Sequence, residues 1–135
     1  MPNRILKSRV RSRTAVVVSA VLLIVFVGGW YERNRSAIET TLEWARLAPL
    51  PVSMVKVHVD VTGSMGTREF RLTFRAQPDI VAEWLKSSDG ILDAEVSKHA
   101  NMLTKYAIQP GGGAQFAQVI VYPKIGQVEI RAYWS

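Results

Sequence analysis

An uninterrupted apolar run near the N-terminus constrains this chain more than any other feature. From Ala15 to Tyr31 the sequence AVVVSAVLLIVFVGGWY carries no charged residue. As an α-helix, at about 1.5 Å per residue, the run would extend roughly 25 Å, which is close to the thickness of the hydrocarbon core of a bilayer. Its β-branched residues are weak helix formers in water, but in a bilayer only a helix lets one segment satisfy its own backbone groups. We therefore predict a transmembrane signal-anchor helix over residues 15–31.

The charges on the two sides of this run predict its orientation. Residues 1–14 hold five cations and no acid, whereas the flank after the run carries three residues of each sign. Because cationic flanks stay in the cytoplasm, we expect residues 1–14 to form a basic cytoplasmic tail and the C-terminal part to lie on the other side of the membrane. Residues 32–135 hold 12 cations against 11 acids, so the net charge of +6 belongs almost entirely to the tail. The high pI therefore does not indicate a nucleic-acid-binding domain.

A cleaved secretory signal is the main alternative interpretation of the same segment. It would combine the basic start with the apolar stretch and use the small residues Gly28 and Gly29 as a cleavage site. Trp30 and Tyr31 favour a retained anchor, since aromatic residues are enriched at membrane interfaces. Both interpretations export the C-terminal part. A further alternative is a subunit whose helix docks into a larger complex, because a glycine pair permits close helix approach.

Apolar periodicity in the rest of the chain predicts an α+β fold. Ser36 and Glu39 form a capping-box pattern for a juxtamembrane helix within residues 32–50, which would end before Pro49. This helix could pack on the domain or lie at the membrane surface as an extension of the anchor. Strands are predicted at 54–62 and 67–75, a helix from Pro78, a loop at 91–100, and further strands at roughly 102–109, 115–122 and 127–134. Residues 51–135 should thus form an extracytoplasmic α+β domain, with an antiparallel sheet of about five strands in the order β-β-α-β-β-β and a packed helix.

The first of these strands carries the strongest candidate for polar chemistry. Strict alternation predicts a half-buried strand with valines on one face, namely Val55, Val57, Val59 and Val61. It places Lys56, His58 and Asp60 on the other face. His58 and Asp60 could share a metal ion or act as a base with its orienting carboxylate, and His99 could join them if the fold brought it near. These three residues define the alternative function, a small membrane-tethered hydrolase or metal-binding enzyme.

A solvated strand face is the interpretation of His58 and Asp60 that we favour, because Lys56 would oppose a bound cation. We expect no metal and no cofactor. Cysteine is absent from the sequence, which excludes disulfides, thiolate metal sites and cysteine nucleophiles. The basic residues Arg68, Arg71 and Arg75, with Lys56, could attract an anionic headgroup or a wall polymer, but neighbouring acids again favour a solvated face.

Three consecutive glycines, Gly111, Gly112 and Gly113, raise the question of whether the chain binds a ligand there or only turns. A phosphate loop requires a following helix and usually a lysine and a hydroxyl at fixed offsets, whereas residues 115–122 have the pattern of a strand. Glycine tolerates positive φ, so we predict a hairpin connection. The glycines remain candidate binding positions, as sites where bare backbone could approach a ligand or partner.

Tyr133 is the other candidate binding residue. Alternation in the last strand leaves it with Glu129 and Arg131, on the face opposite Trp134. Few polar groups converge anywhere in the sequence, which favours a binding or accessory role over catalysis. We therefore expect a single-pass protein of the cell envelope whose partners are the lipid bilayer and an envelope protein or wall component, with no nucleic acid.

Overall fold

The computed structural model describes residues 5–100 and 102–135, and for residues 5–13 it describes the backbone alone. Residues 1–4 of the predicted basic tail lie outside this range. The chain divides into two compact units, Met1–Arg35 and Ser36–Ser135. Helix α1 spans Ile5–Trp44.

Helix α1 contains the predicted anchor. Its segment Thr14–Trp44 is long and apolar enough to cross a membrane, and none of its most apolar window is buried inside the protein. This is compatible with a single-pass membrane anchor, and a signal sequence near an N-terminus shares the property. Ser36, the predicted N-cap of the juxtamembrane helix, lies inside α1, so the residues that follow it continue the same helix as an extension of the apolar segment. Residues 32–35, which lie between the apolar run and Ser36, contain neither proline nor glycine, so the helix is not interrupted there.

The C-terminal end of α1 lies at Trp44 because a Schellman motif stops the helix there. Arg46 has the left-handed φ of 53° that defines the position after the cap. Its amide donates to the Glu43 carbonyl at 3.0 Å, and the Leu47 amide donates to the Leu42 carbonyl at 2.9 Å. Glycine is the usual residue at this position, which explains why the sequence pattern around Arg46 predicted a longer helix.

The second unit is built on an antiparallel sheet, and the α+β prediction is confirmed. Within residues 5–100 and 102–135 the sheet has six strands in the spatial order β1-β2-β6-β5-β4-β3. The strands are β1 (Val55–Ser64), β2 (Thr67–Arg75), β3 (Glu95–Lys98), β4 (Thr104–Ile108), β5 (Phe116–Tyr122) and β6 (Gln127–Trp134), and the short helices are α2 (Pro78–Lys86) and α3 (Asp89–Leu92). All strand pairs are antiparallel.

The hydrophobic core lies on one face of this sheet, which we call the core face. Register places apolar residues of three neighbouring strands side by side there: Phe70, Leu72 and Phe74 of β2, Ala132, Ile130 and Val128 of β6, and Ala117, Val119 and Val121 of β5. The Trp84 ring of α2 meets Phe74 edge-on at 5.2 Å, and Leu42 and Ala45 add to the same cluster. The opposite face, which we call the open face, carries Glu69, Arg71 and Thr73 of β2.

Strand β3 lies where the sequence predicted a loop. Its four residues pair with β4, for example Val96 with Tyr106. A four-residue strand offers too few positions for a period of two to be recognised, and Val96 is its single apolar residue. The sheet therefore has one strand more than predicted.

Strand β1 corrects two further predictions. It is exposed along its length apart from the half-buried Val59, so it is not the half-buried strand that the valine alternation predicted. A register shift lies between Val55 and His58, because β1 fits two residues opposite the single position of Phe74. Val55 pairs with Arg75 of the open face, whereas Val59 pairs with Leu72 of the core face. The valines consequently do not share one face.

Candidate functional site

The predicted polar pair is formed, but its third member lies elsewhere. His58 Nε2 is 3.1 Å from Asp60 Oδ2, and both side chains are exposed on the open face. His99 follows β3, at the other end of the strand order, where its Nε2 lies 3.5 Å from Ser97 Oγ. Five strand spacings of about 4.8 Å separate β1 from β3, or roughly 24 Å. The structure brings His58 and Asp60 together and does not bring His99 to them.

In the part of the chain that the structure describes, no group of three or more His, Cys, Asp or Glu side chains is placed so that it could hold a metal ion.

The structure also changes the predicted position of Lys56 beside His58 and Asp60. Lys56 stands at the register shift of β1 with a φ of 53°, which removes it from the regular alternation. The His58 and Asp60 pair is thus an exposed two-residue contact at the edge of the sheet.

The glycine run connects β4 to β5, as the predicted hairpin connection requires. Gly112 and Gly113 have positive φ values of 58° and 83°. The Gly111 amide also donates to the Trp44 carbonyl at 2.8 Å. A Cβ on Gly112 would lie only 2.6 Å from Cδ1 of the Trp44 ring. The bare backbone of this run therefore approaches the C-terminal end of α1.

Tyr133 lies on the open face, opposite Trp134, as alternation predicted. It pairs with Glu69 on β2 and with Phe116 on β5, and its ring centroid is 5.7 Å from that of Phe116. Beside it, Arg131 Nη2 donates to Glu69 Oε1 at 2.8 Å, and Arg71 lies within 4 Å of two carboxylates. This balance of charge agrees with a solvated face.

Burial raises the pKa of Tyr106, which lies on the core face of β4.

A cleft of about 340 Å³ lies beside the turn between β1 and β2. Trp44, Met65, Arg68 and Trp134 are among its lining residues. Register places Trp134 and Arg68 on the core side of the sheet, the side that also carries Val61. Met65 is fully exposed and Trp134 remains 44% exposed, so this cleft offers apolar surface to a partner.

Sequence reasoning missed this cleft because each of its aromatic residues had a plausible structural role. Trp44 fitted the apolar stripe of a helix, and Trp134 continued the apolar alternation of β6. The one available signal was Trp134, which stood at the end of its predicted strand, where a strand leaves its packing partners.

The outer edge of β1 is the most extensive of these candidate surfaces. It spans Val55–Ser64, and its exposed valines include Val57 and Val61. Strand β2 pairs with one side of β1, and no described strand pairs with the other side. We call this side of Val55–Ser64 the β1 edge.

Comparison of the chain with protein-family models, characterised proteins and solved structures gives no match.

Proposed function

We propose that the protein is a single-pass membrane protein of the cell envelope, with its N-terminus in the cytoplasm, whose α+β domain binds an extended segment of an envelope protein along the β1 edge. The membrane part of the proposal is supported by the apolar segment Thr14–Trp44 and the basic residues that precede it. The binding part is supported by one observation, the open edge of a ten-residue strand.

An extended peptide is the occupant that the chemistry of the β1 edge favours. An edge strand presents a row of backbone amide and carbonyl groups, and another strand is the partner whose spacing satisfies that row. Val59 and Val61 would give apolar contacts on one side of the added strand, with the cleft near Met65 and Trp134 beyond them on that side. We therefore expect a partner segment with alternating residues that is apolar on the core side and polar on the side of His58 and Asp60.

The length of the edge supports binding rather than simple exposure. Natural proteins protect sheet edges by making them short or by adding bulges and charges. Strand β3, near the other limit of the described sheet, has only four residues and follows this rule. Strand β1 has ten residues, and its pairing with β2 continues without a shift from His58 to Ser64.

Orientation is tested with the full-length protein in intact cells and in spheroplasts. Added protease should remove the part of the chain that follows Arg35 only when the outer side of the membrane is accessible. Protection of that part in spheroplasts, or recovery of the intact chain from the soluble cytosol, would contradict the membrane proposal.

The β1 edge is tested by photocrosslinking in cells with a photoreactive residue at Val61. Val96 of β3 is a matched control, because it also lies on the core side of its strand and is 50% exposed against 47% for Val61. We expect adducts with an envelope protein from Val61 and not from Val96. Moving the probe to Val57 should shift the adduct along the same partner segment, as strand pairing requires.

Val61→Lys and Val96→Lys provide the corresponding binding variants. A lysine at an edge position replaces an apolar cross-strand contact. With the photoreactive residue at Val57, Val61→Lys should therefore lower recovery of the crosslinked partner by about fivefold, whereas Val96→Lys should leave it unchanged. Adducts of Val61 with a second copy of this chain, or with no protein, would overturn the proposal.

A further inference from the structure

A second cleft, of about 520 Å³, lies at the other end of β1. Among the described residues that line it, three are cationic and none is acidic: Lys56, Arg75 and Lys124. We call this the basic cleft. Its remaining lining is largely apolar and includes Val55, Pro78 and Ile125. A concentration of one charge beside apolar surface stands out in a domain whose overall charge is nearly balanced.

The fold brings these three cations together from separate elements. The register shift in β1 removes Lys56 from the row of His58 and Asp60 and leaves it at the cleft. Arg75 ends β2 and is held by Gln127, whose Oε1 accepts from Arg75 Nε at 3.1 Å and from Nη2 at 3.0 Å. Because a guanidinium has five N–H groups, this contact orients Arg75 and leaves others able to donate.

The positive charges of the basic cleft are not neutralised by the protein. Within residues 5–100 and 102–135, neither Lys56 nor Lys124 has an ion-pair partner, and Arg75 bonds only to the neutral amide of Gln127. Helix α2 also begins here: Pro78 is its first residue, and Gln77 makes no side-chain capping bond. Asp79 stands in the first turn but does not line the cleft. The three cations supply most of the positive charge of the basic cleft, and the start of α2 adds a partial positive charge.

We propose that the basic cleft binds a phosphate monoester that carries an apolar substituent. Three cations favour a dianion over a monoanion, and charge-assisted hydrogen bonds from guanidinium and ammonium groups are the usual means of holding phosphate oxygens. Val55, Pro78 and Ile125 would contact the organic part, so an ester should bind more tightly than free phosphate. A lipid headgroup and a soluble ester share this chemistry, and the test separates them.

The test uses the full-length protein in nanodiscs of phosphatidylcholine, titrated calorimetrically with n-butyl phosphate and, separately, with inorganic phosphate. We expect saturable binding of one n-butyl phosphate per chain, about tenfold tighter than inorganic phosphate if roughly two methylenes are buried. Lys56→Gln and Lys124→Gln should each weaken binding by about tenfold, because each removes a charged hydrogen-bond donor.

Lys98→Gln on β3 is the matched control, since it removes the same charge from the distant edge of the sheet. It should leave the affinity unchanged. No saturable binding of n-butyl phosphate to the wild-type protein up to about 10 mM, a concentration about tenfold above a Kd of 1 mM, would overturn the proposal. Equal weakening by Lys98→Gln would also overturn it. Circular dichroism of each variant verifies that it is folded.

The source of the phosphate is distinguished by adding phosphatidic acid, a lipid phosphate monoester, to the nanodiscs. Competition that lowers the apparent affinity for n-butyl phosphate in the wild type would support a lipid headgroup as the natural ligand. An unchanged affinity would support a soluble ester. Both results retain the basic cleft as a phosphate site.

Discussion

Gly112 provides a sharp test of the packing at the end of α1. Alanine at this position would be strained by the φ of 58°, at a cost of about 1–2 kcal/mol. Its Cβ would also lie 2.6 Å from Cδ1 and 3.0 Å from Nε1 of Trp44. The Trp44 ring cannot retreat freely, because it packs edge-on against the buried Phe70 at 5.1 Å. Overpacking adds about 1–3 kcal/mol, so Gly112→Ala should destabilise the protein by about 2–5 kcal/mol.

Gly113 is the internal control for this prediction. Its φ of 83° is also left-handed, but a Cβ there would meet nothing within 4 Å. Gly113→Ala should therefore cost only the backbone strain, about 1–2 kcal/mol. The difference between the two variants isolates the contact with Trp44.

The free energy of unfolding is measured by urea titration of the full-length protein in neutral detergent, followed by near-ultraviolet circular dichroism. Both glycine variants are compared in the wild-type background and in Trp44→Ala, which removes the indole. In the Trp44→Ala background the extra cost of Gly112→Ala should fall to that of Gly113→Ala. Equal costs of the two substitutions in the wild type, or no coupling to Trp44, would refute the argument.

Two further predictions concern buried polar groups. Ser88→Ala should lower the free energy of unfolding, measured in urea, by about 1–3 kcal/mol. The reason is that the buried Ser88 Oγ donates to the Trp84 carbonyl at 2.8 Å and accepts from the Ala48 amide at 3.1 Å. The control Ser87→Ala, at an exposed position, should lower it by less than about 0.5 kcal/mol. Burial raises the pKa of Tyr106 above 10.0, so its contribution to stability is complete below pH 10 and is lost as pH rises through the folded-state pKa. The unfolding free energy should thus fall more steeply above pH 10 in the wild type than in Tyr106→Phe, and parallel curves would contradict the assignment.

The elements that sequence reasoning predicted well are those whose side chains repeat a physical pattern. Phe70, Leu72 and Phe74 alternate in β2, and they are buried as the alternation requires. Strand β5 is apolar on both faces and lies between β4 and β6, inside the sheet. In β2, burial and sequence period have the same cause, since every second side chain leaves water. In β5 the apolar residues on both faces reflect its position inside the sheet.

The features that sequence reasoning missed depend on backbone conformation or on distant contacts. Lys56 and Arg46 adopt positive φ although neither is glycine or asparagine, so residue type gave no warning of the register shift or of the helix end. The basic cleft joins residues from β1, β2 and the turn that contains Lys124, and no local spacing relates them. Alternation alone placed Lys56 with His58, and one inserted residue was enough to reverse that arrangement.

The register shift also explains how one exposed strand can offer two different surfaces. The shift lies between Val55 and His58, so the irregular pairing with β2 is confined to the start of β1, beside the basic cleft. From His58 to Ser64 the strand pairs regularly with β2, and seven residues at about 3.4 Å each give an edge of roughly 24 Å. The polar pair on this part is His58 and Asp60, whose Nε2 and Oδ2 atoms lie 3.1 Å apart. Because these two groups contact each other, they oppose an approaching strand less than two like charges would. The usual protection of an edge is therefore concentrated at one end of β1, which leaves the regular part open for pairing.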